Sequence, residues 1–387
     1  MQPDSSIHST LRSLDAAAIE RELNAFWESA GRETGQAGVA RACVLNLLVY
    51  VPAAQATSAL DETLSEISLQ HPSRIILLAA DRAAADSALE AQTLTRCAFQ
   101  PGAGKQVCGE QITIYARGAQ VVELHSAVTP LLLADLPIYL WWHDEPPLAD
   151  KAFMRLAEMS NRVIIDSASF ADPQGDLIAL ALLLRERPKW TAMTDLNWAR
   201  LTAWRALIAG FYDIAEYRPA LSQVNRLVIE YAPPASDPEA ISPRALLLAG
   251  WIAARLGWRQ DRVSRDQQGG TVTFEMLAKT QRIFIELRRT QRATIEPGHL
   301  AQVTLKADSF AEEASDASFT VTKSDEGTRL KTSIFIGHEA RVGRVLSYVK
   351  HTTSELIGRE LEFLSRDRVY EQAVGTAGEM LVAEAQL

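Results

Sequence analysis

The stretch Leu136-Pro137-Ile138-Tyr139-Leu140-Trp141-Trp142-His143-Asp144-Glu145-Pro146-Pro147 decides how the first half of this chain is read. An apolar, aromatic, β-favouring run of about strand length breaks abruptly into charge and a diproline. Successive strand residues point to opposite faces, so Trp141 and Trp142 together call for a strand covered on both sides. The break sets His143, Asp144 and Glu145 at the strand's carboxyl end. In open α/β sheets that is where ligands and partners meet the fold.

The neighbouring sequence agrees with a layered α/β arrangement. Upstream, residues 44–51 read as a buried strand, 59–68 as a helix and 74–79 as a second strand, an order that favours a parallel pair. Residues 94–99 and 111–116 are strand-like and flank the turn-rich Gln100-Pro101-Gly102-Ala103-Gly104-Lys105, which suits a hairpin. Leu14, Ile19, Leu23, Phe26 and Trp27 recur at helical spacing, with Ser13 as the expected N-cap. Residues 127–133 and 151–159 read as helices, 162–166 as a strand and 176–184 as a helix. The charged segment 185–189, with Pro188, marks the expected boundary, giving an α/β domain over 1–188.

Beyond it, Trp198, Leu201, Trp204, Ile208 and Phe211 share one helical face, and Asp195 or Asn197 can cap its start. Residues 226–231 read as a strand and 242–256 as a helix. Strand-like runs at 271–276, 282–288, 302–306, 318–322 and 331–336 then follow one another across short gaps, suggesting an antiparallel meander. A closing helix carries Leu356, Ile357, Leu361 and Leu364, with Thr352 and Glu355 at capping-box spacing. The expectation for 189–387 is therefore an α+β domain with an antiparallel sheet and a C-terminal helix.

At 387 residues, with 47% hydrophobic and 22% charged, the chain has the composition of a globular protein of two domains. Its formal net charge of -9 offers no long-range attraction to nucleic acid or anionic lipid. The basic cluster Arg288-Arg289-Thr290-Gln291-Arg292 ends a strand pattern and reads as a solvated strand end. The longest apolar runs, 177–184 and 245–254, fall short of the ~20 residues a membrane helix needs. Residues 1–14 are polar, without the apolar core of a signal peptide, and three cysteines imply no disulfide framework. A cytoplasmic protein is expected.

Catalytic templates fail in turn. Gly102-Ala103-Gly104-Lys105-Gln106 lacks the first glycine of a phosphate loop and has Gln106 where Ser or Thr would ligate Mg²⁺. His338-Glu339-Ala340-Arg341-Val342 has no second histidine for zinc. Neither a nucleophile elbow nor a dinucleotide fingerprint is found. A hairpin centred on Gly102–Ala103 would set Cys97 opposite Cys108, and both are read as reduced core cysteines. Trp142, His143, Asp144 and Glu145 form the best candidate site. Consecutive loop residues seldom converge on one reacting atom, so a protein contact is favoured over catalysis. Trp198 and Trp204 read as core, while Arg200 and Arg205 fall largely off the apolar stripe and can reach a partner.

Pro130-Leu131-Leu132-Leu133-Ala134-Asp135-Leu136-Pro137, running into Leu140-Trp141-Trp142-His143, resembles the signature of the OpcA family of glucose-6-phosphate dehydrogenase assembly proteins. Asp195-Leu196-Asn197-Trp198-Ala199-Arg200-Leu201-Thr202, followed by Trp204-Arg205, resembles that family's second long motif. His71-Pro72-Ser73-Arg74, Cys108-Gly109-Glu110-Gln111-Ile112 and 161–167 add smaller matches in order. The resemblance implies a non-catalytic protein that binds glucose-6-phosphate dehydrogenase and promotes its assembly or allosteric activation, with no cofactor and no metal. It makes Trp142, His143, Asp144, Glu145, Asp195, Asn197, Trp198, Arg200 and Arg205 candidate partner contacts. The resemblance implies redox regulation through cysteines near the C-terminus for some cyanobacterial members; here no cysteine follows Cys108, so control of that type is not expected. The alternative reading is a sugar-phosphate or nucleotide sensor, or an enzyme, with its site near Trp142–Glu145.

Overall fold

The computed structural model describes residues 5–33, 43–99, 106–144, 148, 150–187, 190–266, 270–279, 281–308 and 316–386. The chain forms two compact units: 1–166 with 190–194 and 352–366, and 167–189 with 195–351 and 367–387. The boundary read at 188–189 adjoins one of the points where the chain passes from one unit to the other. The phosphate-loop-like residues 102–105 and Glu145 lie outside the described residues.

The strands of the first unit are β1 (Ser5–His8), β2 (Arg12–Ser13), β3 (Leu45–Pro52), β4 (Ser73–Asp81), β5 (Ala88–Phe99), β6 (Gln106–Arg117), β7 (Ile138–Trp142), β8 (Arg162–Ile165) and β9 (Ala192–Asp195). Among the described residues they make one sheet in the order β1-β5-β6-β4-β3-β7-β8-β9, with β2 also on β5. The pairs β6–β4, β4–β3, β3–β7 and β7–β8 are parallel, whereas β5 runs antiparallel to β6 and to β1. The parallel strands are near-continuous apolar runs buried along their length, as a sheet covered on both faces requires. Trp141 and Trp142 are each 1% exposed, so the expected double cover of β7 is present.

The hairpin register sets Cys97 opposite Cys108 in the backbone. The first helix, Ala16–Glu33, starts after Asp15, whose Oδ1 accepts from Ala18 N at 3.0 Å; Ser13, the expected cap, lies in β2 instead. The helix Thr353–Leu361 carries the complete Thr352/Glu355 capping box. It belongs to the first unit, held by a hydrogen bond from Tyr139 Oη to Leu361 O (2.9 Å) and by the Arg162–Glu360 ion pair (2.9 Å).

In the second unit the strands are β10 (Val224–Tyr231), β11 (Arg259–Arg265), β12 (Thr271–Ala278), β13 (Gln281–Arg289), β14 (Leu300–Ala307), β15 (Ala317–Lys323), β16 (Arg329–Ile336), β17 (Glu339–Arg341) and β18 (Val345–Ser347). Their order among the described residues is β11-β12-β13-β10-β14-β15-β16-β17, with β18 also on β16. The sheet is mixed, which corrects the expected antiparallel one. β10 inserts between β13 and β14, parallel to β13 (Arg226↔Phe284 to Tyr231↔Arg289) and antiparallel to β14. The cause is the helix Pro243–Leu256 that follows β10. It carries the chain back along the sheet, so β11 sets out in the direction of β10, and β13, two antiparallel turns later, arrives beside β10 pointing the same way.

That helix packs against Arg368–Glu384, a helix not anticipated from sequence. A Cβ at Gly250 would lie 2.2 Å from Ala373 O, and one at Gly378 would lie 2.4 Å from Ala181 Cβ on the helix Pro173–Glu186. Glycine at both positions lets three helices approach closely. The expected single helix from 195 to 212 divides at Leu201 into Leu196–Arg200 and Thr202–Phe211. Trp198, Leu201, Trp204, Ile208 and Phe211 are nonetheless all buried.

Candidate functional site

Two groups of the sequence-nominated residues occur, one in each unit. The first surrounds the carboxyl ends of β3, β4 and β7. Trp142 stacks on Tyr50 with ring centroids 3.6 Å apart and 5° between planes, and meets the Phe153 ring edge-on at 5.0 Å. Such pairs add ~0.5–1.5 kcal/mol beyond area burial. The Tyr50 hydroxyl accepts from Arg82 Nε at 3.1 Å, and Arg82 forms a two-pronged pair with Asp150, both bonds 2.9 Å. Asp150 also caps the helix Lys151–Glu158, accepting from Ala152 N and Phe153 N. Burial alone would raise the Asp150 carboxyl, but the bonds from Arg82 and the helix backbone outweigh it and hold the group below the usual carboxylate range.

His143 donates its backbone N–H to Tyr50 O (2.9 Å), and its Nδ1 lies 3.1 Å from Gln55 Oε1. Burial lowers its imidazole below the ordinary value, so the ring stays neutral at pH 7. His143 and Asp144 are half-buried, whereas Trp142 is covered. Tyr50, Arg82 and Asp150 were not singled out from sequence. They come from three separate elements, and only Asp150, as a capping residue before an amphipathic run, left a local signal.

The second group lies in the second unit. Asp195 is fully buried; its Oδ1 accepts from Asn197 N (2.8 Å) and Ser167 N (3.0 Å), capping Leu196–Arg200. Asn197, also buried, donates Nδ2 to Ser167 Oγ at 3.1 Å and accepts from Arg244 Nε. Trp198 Nε1 donates to Asp367 Oδ2 (2.9 Å), and Asp367 in turn caps Arg368–Glu384. The Arg205 guanidinium lies 3.5 Å from the centroid of the Trp198 ring. Asp195, Asn197 and Trp198 are thus built into the unit, while Arg200 and Arg205 keep partly exposed surface. The basic strand end is paired: Arg288 with Glu286, Arg289 with Glu239 (2.8 Å) and Arg292 with Asp325 (2.6 Å).

Among the described residues no cluster of three or more His, Cys, Asp or Glu could hold a metal, and no helix is long and apolar enough to cross a membrane.

Two family models cover most of the sequence. Residues 64–182 match the glucose-6-phosphate dehydrogenase subunit N-terminal domain of OpcA proteins, and residues 191–374 match the corresponding C-terminal domain. The chain belongs to the OpcA family. It is 27% identical over 314 residues to the OpcA protein of Nostoc punctiforme, named for the OxPP cycle, covering 80% of this chain and 65% of that one. The Synechocystis OpcA is 28% identical over 314 residues, covering 80% and 63%. The Synechococcus elongatus OpcA is 35% identical over 208 residues, covering 53% and 43%. The chain spans less than two thirds of the length of these OpcA relatives. A Thermus thermophilus WlbA (WbpB) dehydrogenase structure aligns over 87% of this chain and 94% of its own at 12% identity, but its TM-score is only 0.40. The long motifs of the OpcA resemblance fall on β7 and on the segment Asp195–Arg205, the two places where the candidate groups occur.

Proposed function

We propose that this chain binds glucose-6-phosphate dehydrogenase and promotes its assembly or allosteric activation in the oxidative pentose phosphate pathway, without catalysing a reaction itself. The observation that carries this reading is the pair of consecutive family domains, both named for a subunit of that dehydrogenase, over 64–182 and 191–374. The chemistry of the candidate groups is consistent with it. The carboxylates of Asp150 and Asp195 and the amide of Asn197 are engaged in caps and hydrogen bonds within the fold rather than converging on one reacting atom.

Within the proposed contact, Trp142, Asp195, Asn197 and Trp198 act as the buried supports. His143 and Asp144 in the first unit, and Arg200 and Arg205 in the second, are the proposed contact residues, with Glu145 as a further candidate. Activation requires tighter binding to the competent state of the enzyme than to its other states. Raising an active fraction from about 10% to about 90% takes a preference of roughly 80-fold, about 2.6 kcal/mol. Purified chain and dehydrogenase from the same host are expected to co-elute, with a lower apparent KM or higher kcat for glucose 6-phosphate. Separate elution with unchanged kinetics would sink the reading.

A further inference from the structure

The second unit holds a cleft of about 230 Å³ lined by Ser169, Phe170, Asn197, Ser236, Arg244 and Gly298, among others. Its floor is polar and ordered. Arg244, 7% exposed on the first turn of Pro243–Leu256, donates to the buried Asn197 carboxamide, and Ser242 Oγ donates to Gly298 O at 2.7 Å. Next to Gly298, His299 lies between Lys323 Nζ, 3.3 Å from its Nδ1, and Glu296 Oε2, 3.1 Å from its Nε2. Lys323 is itself 5% exposed, an uncommon place for an ammonium.

Several cations act at this corner. Arg244, Lys323, Lys350 and Arg200 all act on His299, and Arg292 acts on Lys323. Facing them are the carboxylates of Glu296, which pairs with Lys350 at 3.0 Å, and of Asp325, which pairs with Arg292 at 2.6 Å. The imidazole is pushed down to about 2 by burial and then by these cations, and the Lys323 ammonium is lowered by burial and by its cationic neighbours. A dianion seated at this corner would be attracted by these cations.

We propose that this cleft binds the phosphate group of a small phosphorylated metabolite, with Arg244 and Asn197 as floor and with Arg200, Lys323 and Lys350, which act on the neighbouring His299, adding attraction from outside its lining. Arginine forks match phosphate oxygens in pairs, and the Ser169 and Ser236 hydroxyls add neutral donors at the rim. The remaining volume suits a compact ligand rather than a dinucleotide. The inference stands apart from the dehydrogenase reading, because binding requires no partner protein.

Titration calorimetry of the full chain, without any dehydrogenase, tests it with inorganic phosphate, glucose 6-phosphate and glucose. Saturable binding of both phosphates and none of glucose is expected, weakened about tenfold or more by Arg244→Gln. Should Arg244→Gln fail to fold, the partly exposed pair Arg200→Gln and Lys350→Gln is expected to weaken binding in the same direction. No saturable binding of either phosphate, glucose binding as well as glucose 6-phosphate, or affinity unmoved in the folded variants would overturn the proposal.

Discussion

Arg74 donates its Nε to Glu110 Oε1 at 2.8 Å inside the first unit, and both residues are 1% exposed. The two come from separate short motifs, His71-Pro72-Ser73-Arg74 and Cys108-Gly109-Glu110-Gln111-Ile112, which β4 and β6 place side by side in register. The network continues to Glu20, to Leu131 O and, through Glu110 Oε2, to Trp27 Nε1. Burial would lower the Arg74 guanidinium, but its bonds to Glu20 and Glu110 outweigh that and raise it.

A buried pair broken on one side leaves an uncompensated charge, which costs ~3–5 kcal/mol. Arg74→Met is therefore expected to lower stability by about that amount in urea unfolding. The double variant Arg74→Met, Glu110→Leu should recover part of the loss; a single variant as stable as the parent would show that the pair is not held in low dielectric.

Gly250 sets the approach of two helices. Gly250→Val forces a side chain against Ala373 O and is expected to cost about 3 kcal/mol or more. Gly250→Ala should cost less, though not zero, because its Cβ alone meets that oxygen at 2.2 Å. Thermal unfolding of the two variants checks the order.

The acid limb of stability is expected to carry the signature of His299. Its folded value lies far below the unfolded one, near 6.5, so the unfolded state binds the extra proton as pH falls through that range. Stability should thus rise with pH between about 5 and 6.5, by up to about 1.4 kcal/mol per pH unit from this residue, with His143 adding in the same sense. His299→Gln should flatten that slope in urea unfolding measured at successive pH values.

For the proposed contact, His143→Ala with Asp144→Ala, and Arg200→Ala with Arg205→Ala, are expected to weaken dehydrogenase binding by about tenfold while leaving the unit folded. Trp142→Ala, in contrast, removes a ring stacked on Tyr50 and edge-on to Phe153 and should cost ~3–5 kcal/mol of stability. Binding by surface plasmon resonance, read beside circular dichroism, separates the two effects. Affinity unchanged in both surface pairs would place the contact elsewhere.

The sequence by itself determined what depends on near neighbours. The Trp141-Trp142 alternation required a strand covered on both faces, Thr352 and Glu355 specified a capping box, and a hairpin centred on Gly102–Ala103 aligned Cys97 with Cys108. Each rests on periodicity or a cap spanning a few residues. Only the tertiary structure decided what depends on chain return. β10 lies inside the meander as a parallel strand, because the helix after it reverses the chain's progress across the sheet. The long helix Arg368–Glu384 leaves a weaker trace in the sequence, since Ala373, Ala377 and Gly378 interrupt a buried face otherwise made by Tyr370, Val374, Met380 and Leu381 and dilute its apolar contrast. The meeting of Arg244 with Asn197, 47 residues apart, and of Arg82 with Asp150, 68 apart, follows from packing that no local pattern encodes.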